Sequence, residues 1–267
     1  MKDFTFNVPQ DIIFGKGSLK RLPELLEKSG SKKMLLISGP VLKKIGMVEK
    51  VEEIVKASGI EVEVFTDVEA NPSVATVDKA TEAYKKAGAT SIVAFGGGSP
   101  MDVAKAVGVL AKYGGEIGDY EGAHKVPGPI VPIIAIPTTA GTGSEVTAFS
   151  VITDEARNYK LTVFSYELIP SYALLDPELV MTSPASVAAA CGVDALIHAW
   201  EAYTSRDASP FSDAMAEKAM ELIGCKSAQI RSKPSGRRGG GSHALRKHVR
   251  RYRICMGKTW KYPCYEH

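Results

Sequence analysis

Asp194 and His198 stand four residues apart in the stretch ASVAAACGVDALIHAWEAYTS (185–205), which reads as a helix. Four residues is just over one helical turn, so the carboxylate and the imidazole share a face. A carboxylate oxygen and an imidazole nitrogen so placed suit one divalent metal. The same spacing also suits a plain electrostatic contact along a helix. A metal centre needs further donors, and the other histidines give no partner spacing. His124 lies in a loop, and His243, His248 and His267 lie near the end of the chain.

A second constellation is GGGSPMD (96–102). Glycines let backbone approach a phosphate closely, and the free N–H groups that open a helix form an anion site. Ser99 is placed to cap that helix, Pro100 suits its first turn, and Asp102 three residues after Ser99 has capping-box spacing. The string GxGxxG is absent, so the segment reads either as a phosphate loop or as a tight strand-to-helix turn. TTAGTGSE (138–145) is another loop rich in hydroxyls and glycine at the end of a strand, where open α/β sheets bind ligands. Thr138 and Thr139 there could bond a phosphate or an amide, or line a polar surface loop.

The elements that must position these groups can be read from hydrophobic pattern. MLLIS (34–38), SIVAF (91–95) and IVPIIAIP (130–137) are apolar runs suited to buried parallel strands, and EVEVF (61–65) alternates like a strand. Residues 43–58 predict one amphipathic helix, with Ile45, Val48, Val51, Ile54 and Val55 on its apolar face. Val74–Ala87 and Pro100 to about Lys112 are also helical in period. Strands alternating with helices argue for a parallel α/β sheet. The pattern changes after Thr138. LTVF (161–164) and ALLD (173–176) are short strands, Ser183-Pro184 opens a long helix, and Pro210–Ile223 continues as another. The organisation expected is an α/β domain over 1–180, an incomplete helical domain over 181–224 and a disordered basic tail over 225–267.

That tail is what unbalances the charge. The chain has 267 residues and a formal net charge of +3, but residues 1–224 carry −8 and residues 225–267 carry +11. Three of the four cysteines, Cys225, Cys255 and Cys264, also fall in the tail. So few cysteines exclude a disulfide-dense secreted scaffold. No apolar run is long enough for a transmembrane helix. MKDFTFNVPQ has no apolar signal region, so a cytoplasmic protein is expected. Arg237-Arg238, Arg250-Arg251 and Tyr252 would suit a nucleic-acid-binding arm, but no recognised motif supports one. Nucleic acid is not expected as a partner. A shifted reading frame from residue 225 would explain the loss of periodicity and the excess of Arg and Cys.

Taken together, GGGSPMDVAK (96–105), PIIAIPTTAGTGSEVT (132–147), LLDPEL (174–179) and the 185–205 helix resemble the iron-containing (group III) alcohol dehydrogenases. Four separated motifs agree in sequence and in order, over residues 1–224. The resemblance implies a dehydroquinate synthase-like architecture: a parallel-sheet dinucleotide-binding domain followed by an all-helical domain. It implies reversible hydride transfer between an alcohol and NAD(P), with an aldehyde or ketone as product. Pyrophosphate contacts carry over onto Gly97, Gly98 and Ser99, and further dinucleotide contacts onto Asn71, Thr138, Thr139, Thr147, Lys160 and Leu179. Metal ligation carries over onto Asp194 and His198, where Fe2+ is implied, with Zn2+ as the alternative through a related polyol dehydrogenase. Such a metal polarises the alcohol oxygen. An intact relative is expected to be a homo-oligomer.

Two departures follow. Many NAD-preferring relatives place an Asp after the strand that here reads MLLISGP, where it bonds the ribose hydroxyl and repels a 2′-phosphate. Here that position is Gly39, so NADP(H) is expected to be tolerated or preferred. The family's two remaining metal ligands are histidines further along, in a segment that residues 225–267 do not resemble. Weak or absent turnover is therefore expected of this chain, leaving a non-catalytic dinucleotide-binding remnant as the alternative.

Overall fold

A computed structural model describes Phe4 and residues 9–231, with side chains described as far as Gly224. The chain forms two compact units. One comprises residues 8–137 and 144–176. The other, among the described residues, comprises 138–143 and 177–231 together with Phe4. The sequence reading draws its boundary at 180. The short helix at Pro177–Val180 and the 138–143 loop instead belong with the helical unit.

The first unit begins with β1 (Asp11–Phe14) and α1 (Leu22–Lys28), neither of which has a clear period in the sequence. Then follow β2 (Lys33–Ile37), α2 (Pro40–Lys44), α3 (Met47–Lys56), β3 (Glu61–Phe65), α4 (Val74–Ala87), β4 (Ser91–Gly96) and α5 (Gly98–Tyr113). β5 (Gly122–Ala123), β6 (Ile133–Pro137), β7 (Phe149–Asp154), β8 (Tyr159–Phe164) and β9 (Tyr172–Leu175) complete it. Six strands make one sheet in the order β1-β9-β6-β4-β2-β3, and every neighbouring pair is parallel. β5, β8 and β7 form a smaller sheet in which β7 and β8 run antiparallel. β4 and β6 are buried at every residue, which is why both read as unbroken apolar runs. Their Ile92, Ala94, Ile133 and Ala135 share a core with Val103, Ala104 and Val107 of α5.

Two helix boundaries correct the sequence reading. The single helix expected over 43–58 is two, α2 and α3, because Gly46 takes a left-handed conformation (φ 75°) between them. Ile45 then falls outside the apolar face and is exposed, while Val48, Val51 and Val55 are buried. α4, by contrast, begins and ends where its period says. Ser73 caps it, with Oγ accepting from the Thr76 N–H at 3.3 Å.

The helical unit holds α6 (Pro177–Val180), α7 (Ala185–Thr204) and α8 (Pro210–Arg231), with α7 packed along α8. Ser183, which precedes the proline that opens α7, does not cap it. Pro184 is the N-cap residue, no side chain caps the helix, and the Ser183 hydroxyl donates to the Thr138 carbonyl at 2.7 Å. α8 runs on to Arg231, seven residues into the segment expected to be a disordered tail. Apolar periodicity fails at residue 225, but Lys, Ala, Gln and Arg are good helix formers and carry the backbone further. Residues 232–267 lie outside the described residues, with His243, His248, His267 and the paired arginines among them. No helix among the described residues is long and apolar enough to cross a membrane.

Candidate functional site

The phosphate loop is built by the junction of β4 and α5. Gly96 closes the strand with φ 152°, and a Cβ there would lie 2.8 Å from Cγ of Pro100. Gly97 is the N-cap residue, and no side chain caps the helix. This corrects the expected capping box. α5 starts at Gly98, two residues earlier than its period suggests, so Ser99 sits inside the first turn rather than ahead of it. Gly97, Gly98 and Ser99 are half-buried. A 16-residue helix thus begins behind Gly97 with N–H groups that no side chain satisfies. That donor set fits a phosphate group.

Asp102 does something the sequence did not reveal. Its Oδ1 accepts from the Ser144 hydroxyl at 2.8 Å, and its backbone carbonyl accepts from the Ser150 hydroxyl at 2.8 Å. Lys105, one turn further along α5, is completely buried. Its Nζ donates to the carbonyls of Phe149 (2.8 Å) and Thr147 (2.9 Å), and lies 3.2 and 3.3 Å from the hydroxyls of Thr147 and Ser144. Burial lowers the Lys105 ammonium to about 8, against the pull of Asp102 and Glu145. Burial raises the Asp102 carboxyl to about 6, opposed by Lys105 and Ser144. Burial also raises Glu145 to about 7, opposed by a bond from its own backbone and by Lys105. Two buried ionisable groups, Lys105 and Glu145, and the half-buried Asp102 therefore surround the Thr147 segment. The signal was present: Lys105 is the one charge between Val103 and Leu110, in an otherwise apolar helix turn.

Two more of the expected dinucleotide residues meet in the same unit. Lys160 Nζ donates to Asn71 Oδ1 at 3.0 Å, although 89 residues separate them. Asn71 holds a left-handed backbone (φ 54°), and its carbonyl accepts from the Thr153 hydroxyl at 3.2 Å. Gly39 is the N-cap residue of α2, with extended backbone and a half-buried surface.

The helical unit holds the others. Thr138 is buried, Thr139 is half-buried, and Leu179 is buried in α6. The 138–143 loop lies tight against α7. A Cβ on Gly141 would meet Cβ of Cys191 at 2.6 Å and its Cα at 2.8 Å. Asp194 and His198 sit on α7 as their spacing requires, with Oδ1 and Nε2 3.8 Å apart. Their side chains are 45% and 23% exposed, so an ion could reach both. Among the described residues no group of three or more His, Cys, Asp or Glu could hold a metal. The pair offers two donors, half of the usual tetrahedral set, and so does not by itself fit a retained metal. Along α7, Val193, Leu196, Ile197, Trp200 and Tyr203 are exposed at helical spacing, with Trp200 at 62%.

The family model "Iron-containing alcohol dehydrogenase" matches residues 9–177. The chain belongs to the iron-containing alcohol dehydrogenase family. The model of the family's C-terminal part matches 188–238, past the point at which the sequence reading lost the resemblance. The NAD-dependent methanol dehydrogenase of Bacillus methanolicus is 40% identical over 82% of this chain and 57% of its own length. The NADPH-dependent butanol dehydrogenase of Clostridium saccharobutylicum is 41% identical over 82% of this chain and 56% of its own. A crystal structure of 1,3-propanediol oxidoreductase superposes with a TM-score of 0.85 at 34% identity, over 97% of this chain and 66% of that one. The chain thus spans little more than half the length of these curated relatives.

Proposed function

We propose that this chain is the dinucleotide-binding part of an alcohol dehydrogenase, and that it binds NAD(P) with weak or absent turnover of its own. The observation that carries the reading is the Gly96–Ser99 turn, with its uncapped helix start behind glycine. Gly97, Gly98 and Ser99 would hold the pyrophosphate through backbone N–H groups. Asn71 and Lys160, already bonded to each other, would present an amide and an ammonium to the same ligand. Thr138, Thr139, Thr147 and Leu179 would add polar and apolar contacts. The nicotinamide supplies the redox chemistry when bound, and the protein supplies binding and orientation. Asp194 and His198 would contribute a carboxylate oxygen and an imidazole nitrogen toward iron, or toward zinc. Two donors bind a divalent ion far more weakly than a preformed four-donor site. The substrate class in this reading is a small alcohol or its aldehyde.

The test uses the purified 267-residue chain. NADPH and NADH are titrated by fluorescence, bound metal is measured after gel filtration, and alcohol-dependent reduction of NAD(P)+ is followed. Dinucleotide binding with substoichiometric metal and little turnover is expected. No dinucleotide binding, or full metal with clear turnover, would overturn the reading.

Gly39 directs a finer proposal, that NADP(H) is accepted at least as well as NAD(H). No carboxylate stands at that position to repel a 2′-phosphate. A Cβ at Gly39 would lie 3.4 Å from the Val68 carbonyl, close but within reach of a small adjustment, and the backbone is extended. Gly39→Asp is therefore expected to fold and to shift the ratio of NADPH to NADH affinity by about tenfold or more toward NADH, roughly the worth of one unfavourable charge contact. Parallel titrations with the two cofactors measure it. An unchanged ratio would show that Gly39 does not face the ribose.

A further inference from the structure

We propose that the cavity at the amino ends of β1 and β9 is a binding site for a small organic ammonium ion. It lies within the first unit and has a volume of about 530 Å³, inside the range of small-molecule sites. Asp11 and Tyr172, the first residues of β1 and β9, line it together with Ile130, Tyr166 and Glu167. The proposed phosphate turn is at the other end of the sheet, where β4 closes at Gly96. All strands of that sheet run parallel, so the two places lie about a strand's length apart, roughly 17 Å for five residues. The proposal does not rest on the dinucleotide reading.

The walls of the cavity are held by contacts of their own. Gln10 is buried, and its Nε2 donates to the Glu145 carbonyl at 2.7 Å, which fixes the chain just before Asp11. Pro129, also in the lining, is pinned through its carbonyl, which accepts from the Tyr113 hydroxyl at 2.9 Å and from Lys112 Nζ at 2.5 Å. Tyr166 packs its ring against His124 (5.5 Å between centroids) and Phe164 (5.6 Å), yet is 58% exposed, so ring surface is left for a ligand. Leu168 is buried and anchors the short turn that carries Glu167, and Ser165 Oγ accepts from the Glu167 N–H at 3.4 Å. Walls that are already ordered cost little to order on binding.

The lining selects the ligand. It holds two carboxylates and two phenol rings, and no lysine, arginine or histidine. Neither Asp11 nor Glu167 is ion-paired to another described residue. Two unopposed negative charges repel an anion and attract a cation. Phenol faces attract ammonium groups through the ring quadrupole. Ile130, Val131 and Ile169 add apolar surface that methyl or methylene groups would cover. A bare divalent ion would need about six oxygens close around it, which a wide cavity with aliphatic walls does not offer. An alkylammonium ion uses the charges, the rings and the apolar wall together.

The experiment titrates the 267-residue chain with butylammonium and tetramethylammonium by calorimetry at low salt, with butyrate and Mg2+ as controls. Saturable binding of at least one ammonium ion is expected, with a dissociation constant on the order of 1 mM. Glu167→Gln is expected to weaken it about fivefold and Tyr166→Leu about threefold, the worth of one partly exposed charge contact and of one exposed cation–π contact. Tyr166 is exposed and Glu167 half-buried, so both variants are expected to fold, which circular dichroism checks. Glu63→Gln, at an exposed carboxylate on β3 at the opposite edge of the sheet from β1, is expected to stay within about twofold of wild type. No saturable binding of either ammonium ion at about ten times the expected constant would overturn the proposal. So would equal binding of butyrate, tighter binding of Mg2+ that Glu167→Gln abolishes, unchanged binding in both cavity variants, or a loss in Glu63→Gln as large as that in Glu167→Gln.

Discussion

A Gly96→Ala chain is expected to lose about 2–5 kcal/mol of stability and to bind NADPH at least about tenfold more weakly. Two independent costs meet at this position. The backbone sits at φ 152°, a region that L side chains rarely adopt. The added methyl would also lie 2.8 Å from Cγ of Pro100, well inside contact distance. Pro100 cannot swing aside, because its ring is part of the first turn of α5 and is buried. Gly96 cannot retreat either, since it is paired in register with Pro137 across two central strands. Between them lies the 97–99 segment, which is the one proposed to hold the pyrophosphate. Relief of the clash therefore moves the N–H groups that would bind the ligand. Denaturant unfolding and an NADPH titration on the same preparation check both halves. Wild-type affinity in a folded Gly96→Ala chain would show that this turn is not the phosphate site.

What the sequence displayed was whatever depends on neighbours in the chain. β2, β4 and β6 were legible because a strand buried on both faces is a continuous apolar run, β3 because its residues alternate, and α4 because its cap and period agree. The Asp194–His198 pair was legible because four residues along a helix bring two side chains to one face. β1 was not, because DIIF is four residues long and its parallel partner β9 lies 161 residues on in the register. The helix start at Gly98 was misread because Ser99 has the chemistry of a cap but the 96–98 glycines let the helix begin before it. Asp102 was misread and Lys105 passed over for a deeper reason. Their partners Ser144, Thr147 and Phe149 lie 39 to 44 residues away, so a lone charge in an apolar helix turn hints that it faces inward but cannot name what it meets there.

The same buried cluster should give the chain an unusual pH dependence, isolated by Glu145→Gln. Glu145 is raised from 4.5 to about 7 and Asp102 from 3.8 to about 6, both by burial. An acid whose folded pKa is raised holds its proton more tightly in the folded state. Its contribution to stability is complete below about pH 4 and is lost as pH rises through 6 and then 7. Lys105 works from the other side. Lowered from 10.5 to about 8, it contributes fully above about pH 10.5 and loses that contribution as pH falls through 8. The two losses overlap between pH 7 and 8, where the cluster is most costly. Gln cannot ionise, so Glu145→Gln removes one of the two acid terms while keeping size and shape. The variant is therefore expected to gain on wild type as pH rises from 5 to 8. The ceiling on that gain is about 3 kcal/mol, the linkage value of the Glu145 shift, or several degrees in melting temperature. Urea unfolding of both chains at pH 5, 6, 7 and 8 measures it directly. A difference between them that stays constant from pH 5 to 8 would mean that burial does not raise the Glu145 carboxyl above its unfolded value. Glu145→Gln falling below wild type as pH rises would mean that its carboxylate pairs with Lys105 strongly enough to outweigh its burial.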